Sequence, residues 1–64
     1  MIEEQQKARM ERERELNQLS RTEAGRIQIG TIYVLRSGGA MPPIGIRGSQ
    51  IIQAILEMEY PAGG

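Results

Sequence analysis

The stretch between Ser49 and Pro61 narrows most what this chain can become. Ile51, Ile52, Ala54, Ile55, Leu56 and Met58 sweep an arc of roughly 200° at 100° per residue. A surface helix needs an apolar stripe of only about 100°, so this one has to be buried on two sides. Ser49 is the predicted N-cap, since its hydroxyl can accept a backbone N–H that the first turn leaves unpaired. Pro61 cannot continue the helix, which the pattern therefore places over 49–60.

Such a helix needs a core around it, and the chain supplies little. Its 64 residues allow one small domain, and a domain of this size buries only about 60% of its unfolded surface. Hydrophobic residues make up 39%, but they include five Ala and four Met, with no Phe or Trp. Disulfides, metals and oligomerisation are the usual remedies. The absence of Cys removes the first, and the joint absence of His and Cys removes most of the second. No metal and no cofactor are therefore expected. Association with further copies remains, so the chain is expected to be its own partner in a homo-oligomer. No apolar run approaches a membrane span, and the charged N-terminus does not read as a signal peptide. A cytoplasmic protein with no membrane partner is expected, in agreement with the lack of cysteine.

Residues 2–21 read as a helix within a charged arm at 1–24. Glu, Gln, Arg, Lys, Ala, Met and Leu fill nearly every position, and all are strong helix formers. Its apolar face is thin, because Gln5, Arg9 and Arg12 interrupt it, and only the Leu16/Leu19 end looks able to dock. A sustained heptad is missing, which favours a solvated helix anchored by its last turns over a coiled-coil arm. Gly25 is the expected left-handed residue that ends it. Residues 26–36 then read as a strand, rich in β-branched residues, with Ile27, Ile29, Thr31, Tyr33 and Leu35 on one face. Ile32 and Val34 make its second half apolar on both faces, which calls for cover from two sides. Residues 37–43 are a loop by composition, and Ile44 to Arg47 form a candidate edge strand. The expected fold is α+β, a small α-β-(β)-α unit with its core in 25–60 and a flexible tail at 61–64.

Charge is balanced overall, eight Lys plus Arg against eight Glu with no Asp, but it is unevenly spread. Residues 25–56 carry Arg26, Arg36 and Arg47 and no acid at all. That is too small an excess for a duplex nucleic-acid binder, yet enough for a small anion. Enzymatic catalysis is not expected: without His, Cys or Asp, nucleophile–base pairs and most metal-assisted mechanisms are excluded by inventory. Two tyrosines, Tyr33 and Tyr60, are too few for a stacking platform along a single strand.

One constellation carries a chemical argument. Gly45, Arg47, Gly48 and Ser49 precede the C-terminal helix, whose first turn offers unpaired N–H groups and the positive end of the dipole. Arg47 adds a planar donor fork, and oligomerisation would bring Arg26 or Arg36 from another subunit towards the same pocket. The set lacks the lysine and spacing of a P-loop. Gly45-Ile46-Arg47-Gly48, with Ile51 three residues on, is similar to the GxxG loop of K-homology RNA-binding domains. That likeness, confined to the turn and the first helical residues, implies contact with single-stranded nucleic acid. Two functions follow. The first is a non-enzymatic homo-oligomer that holds a small anionic, nucleotide-like ligand at Gly45, Arg47, Gly48 and Ser49 with Arg26 or Arg36. The second is a protein–protein interaction module acting through the N-terminal helix or an exposed edge.

Overall fold

The computed structural model describes residues 2–62. The charged N-terminal segment is helical, as its composition predicts: α1 spans Ile2–Leu19. Glu3 and Glu4 lie at the positive end of its dipole. It stops at Leu19, where Ser20 N–H donates to Leu16 O (3.0 Å) and Arg21 N–H to Gln18 O (3.2 Å).

The expected strand at 26–36 is overturned, because Glu23–Arg36 forms a second helix, α2. Thr22 starts it, its hydroxyl accepting the Gly25 N–H at 3.0 Å. Glu23 at the first turn and Arg36 at the last complement the dipole. The end is a Schellman cap: Gly39 N–H donates to Val34 O (2.8 Å) and Gly38 N–H to Leu35 O (3.4 Å), with Gly38 at φ 76° and Gly39 at φ 106°. The β-branched residues disfavour a helix by only tenths of a kcal/mol each. Burying one side chain the size of Ile29 contributes about 1.5–3 kcal/mol, so packing overrides propensity. Strand alternation would have put Ile27, Ile29, Tyr33 and Leu35 together. Helical spacing separates them, with Ile29 buried, Tyr33 half-buried, and Ile27 and Leu35 exposed.

With 26–36 helical, residues 44–47 have no strand to pair with. They form a turn instead, in which Ile46 N–H donates to Pro43 O at 3.3 Å and Gly45 takes φ 83°. The α+β expectation thus gives way to three helices, with no strand among the described residues. The third helix, α3, spans Gly48–Glu59, close to the predicted 49–60. Its N-cap is Arg47 rather than Ser49, which sits inside the first turn. Gln50 Oε1 accepts the Arg47 N–H at 3.1 Å; a guanidinium has no acceptor to return the bond. Of the expected tail at 61–64, Gly63 and Gly64 lie outside the described residues.

The core joins Leu16 of α1, Ile29 of α2, and Ile52, Ile55 and Leu56 of α3. Each helix touches both others. The wide apolar arc of α3 is consumed by two neighbours at once. Gly25 is not a helix terminator: it is buried in the first turn of α2, outside the left-handed region. A Cβ there would overlap the carbonyl of Leu19. Its role is to let the two helices meet closely at the hairpin.

Candidate functional site

Arg26, Gly48 and Ser49 line one cleft of roughly 460 Å³, together with Asn17, Ser20 and Ile46. The α1–α2 hairpin brings Arg26 to the cleft, where its Nη1 donates to Ser20 O at 3.0 Å. The turn at 43–46 brings the start of α3 to the same place. Arg47 is exposed at the first turn, and Gly45 lies in the turn ahead of it. Arg36 is not brought in. It sits ten residues along α2 from Arg26, about 15 Å away at 1.5 Å per residue.

Arg36 belongs instead to a cluster with Arg12 and Glu59. Glu59 of α3 accepts from Arg12 Nε (2.9 Å) and Nη2 (3.0 Å) and from Arg36 Nε (2.9 Å). Arg12 also pairs with Glu15 at 2.8 Å. The Glu59 side chain is only 11% exposed, and the Arg12 hydrogen bonds hold its carboxyl below the usual range against the opposing effect of burial. Hydrogen bonds to Glu59 and Glu15 likewise raise the guanidinium of Arg12 further above its ordinary value. A carboxylate pinned in its ionised form by two cations is a poor proton acceptor, so the cluster is an internal tie between all three helices. Its sequence signal was Arg12 interrupting the apolar face of α1: an arginine turned inward requires a carboxylate opposite.

The remaining feature is the outer face of α2. At 100° per residue, Val34, Ile27, Thr31, Ala24 and Leu35 fall within an arc of roughly 100°, opposite Ile29. That is the width of stripe a helix normally buries. Ile27 is nevertheless 67% exposed and Leu35 69%. No charged residue falls within the arc. Thr31 does not need water, since its hydroxyl donates to Ile27 O at 3.2 Å. The loop after α2 adds exposed Met41 and Ile44. Strand alternation sets Ile27 and Leu35 on the same face as Ile29 and Tyr33, which hides this stripe.

No helix among the described residues is long and apolar enough to cross a membrane. No protein-family model, curated protein or solved structure matches this chain.

Proposed function

We propose that this chain is a non-catalytic interaction module that docks against another protein surface through the outer face of α2. The observation that carries the reading is the uncharged stripe from Ala24 to Leu35, with Ile27 and Leu35 mostly exposed on a helix whose opposite face is already packed. Exposed stripes of this width on small domains mark contact surfaces. A sequence without His, Cys or Asp supports binding over chemistry, and a cysteine-free chain suits the cytoplasm. The test is a photo-crosslinking side chain in place of Leu35, with the same group in place of exposed Glu57 on α3 as control. A protein adduct at Leu35 and none at Glu57 is expected. Adducts at neither position, or equally at both, would overturn the reading.

A second reading is capture of a small anion, nucleotide-like in charge, and is favoured by one observation: Arg26, Gly48 and Ser49 share a cleft. An anion there would meet first-turn N–H groups and a guanidinium, with Arg47 alongside. Mono-, di- and cyclic nucleotides should then raise the melting midpoint, and Arg26→Ala or Arg47→Ala should remove the rise. No shift with any of them would dispose of this reading.

A further inference from the structure

We infer that the partner of the α2 outer face is a second copy of this chain, with the two α2 helices packed antiparallel across a two-fold axis between Ile27 and Thr31. The inference rests on reading that face as an interface, and names its occupant. Surface area is the first argument. The chain presents 4908 Å², against roughly 4,100 Å² expected of a folded monomer of this mass. That excess is spread over the whole chain, and the large apolar side chains it leaves bare include Ile27 at 67% and Leu35 at 69% exposure on the α2 face.

Self-complementarity is the second argument. A two-fold interface meets a copy of itself, so any charge on it faces a like charge nearby. The stripe from Ala24 to Leu35 has none. Drying it strands no polar side chain either, because the Thr31 hydroxyl is already bonded to Ile27 O. Gly30 lies beside the stripe with open space where a Cβ would stand, so a second backbone can come close.

Orientation follows from size and dipole. In the antiparallel arrangement small Ala24 faces Leu35 of the second copy, and Ile27 faces Thr31 of the second copy, so large side chains meet small ones. The N-terminal end of each α2 also lies against the C-terminal end of the other, which opposes the two macrodipoles favourably. A parallel pair would set Leu35 on Leu35, Ala24 on Ala24, and like dipole ends together.

Light scattering on the full chain over a concentration series should show the mass rising from 7.1 kDa to twice that value. Ile27→Glu combined with Leu35→Glu should raise the dissociation constant at least about a hundredfold, since each charge would be buried unpaired. Both positions face outward, so the circular dichroism of the dilute variant should match the parent. Orientation is read by disulfides in this cysteine-free chain. Ile27→Cys should link to Thr31→Cys when the two variants are mixed, and Ala24→Cys, which should not link to itself, should likewise link to Leu35→Cys. Three results would overturn the inference: a mass fixed at 7.1 kDa, association that survives the double glutamate variant, or self-linked Ala24→Cys. A monomer whose Leu35 probe captures a different protein would overturn the inference and leave the interaction module standing. A monomer with no Leu35 adduct would remove both.

Discussion

α2 and α3 are both apolar around more of their circumference than a surface helix requires, yet they meet opposite fates. In α3, Ile52, Ile55 and Leu56 are fully enclosed and Ile51 and Met58 pack at the margin, because α1 and α2 each cover part of the arc. In α2, Ile29, Ile32 and Tyr33 face that same core while Ile27 and Leu35 face away from it. Hydrophobic content alone does not separate the two helices; the number of neighbours does. A chain of three helices gives each helix only two partners, and α3 lies where both reach its apolar arc. What α2 does not bury against α1 and α3 stays exposed, Ile27 and Leu35 above all.

The largest test of this contrast places a charge on each helix. Ile55→Asp on α3 should abolish cooperative folding, because a buried unpaired charge costs about 3–5 kcal/mol, comparable with the whole stability of a domain this small. Ile27→Asp on α2 should leave the far-ultraviolet spectrum and the dilute thermal midpoint nearly unchanged. Equal damage from the two would mean that the outer face of α2 is part of the fold.

A smaller effect is expected where α3 is tied to both neighbours by charge. Arg12→Met should destabilise the chain by about 1.5–3 kcal/mol, as it removes two charged hydrogen bonds to Glu59. Glu59→Gln should behave similarly at neutral pH. The carboxyl of Glu59 is lowered in the folded chain from its ordinary value of 4.5. Its stabilising contribution is therefore complete above that value and fades as pH falls through the lower folded one. Denaturant titrations should show the gap between parent and Glu59→Gln closing only in acid. A gap that widened in acid would contradict the tie.

The smallest pair of effects compares the two sides of α2 with one substitution. Gly25→Ala pushes a methyl into the Leu19 carbonyl and should cost about 1–3 kcal/mol. Gly30→Ala meets nothing and should stabilise the dilute chain by about 0.5–1 kcal/mol through better helix propensity. Thermal melts of the two variants should therefore move in opposite directions. Movement in the same direction would show that the inner and outer sides of α2 are not as different as the packing implies.

The outer helices were legible because their signals were local. Strong helix formers from Glu3 to Leu19 and the wide apolar arc behind Gly48 need no distant information. α2 is less legible because its β-branched residues fit alternation and helical spacing alike over a short run. Its true boundaries were nonetheless written in Thr22-Glu23 at the start and Arg36-Ser37-Gly38-Gly39 at the end, a cap-and-dipole pattern that strands do not need. The anion constellation was legible only as a set of residue types. Folding put Arg26 beside Gly48 and Ser49 and turned Arg36 to Glu59 instead.

By itself the sequence determined that both terminal segments are helical, because propensity and a wide apolar arc act within a few residues. Only the tertiary structure decided which apolar residues were left over, which arginine met which carboxylate, and why Gly25 had to be glycine. Those outcomes depend on which segments become neighbours across Leu16, Ile29 and Ile55. Close packing settles that choice through long-range contacts that no local pattern records.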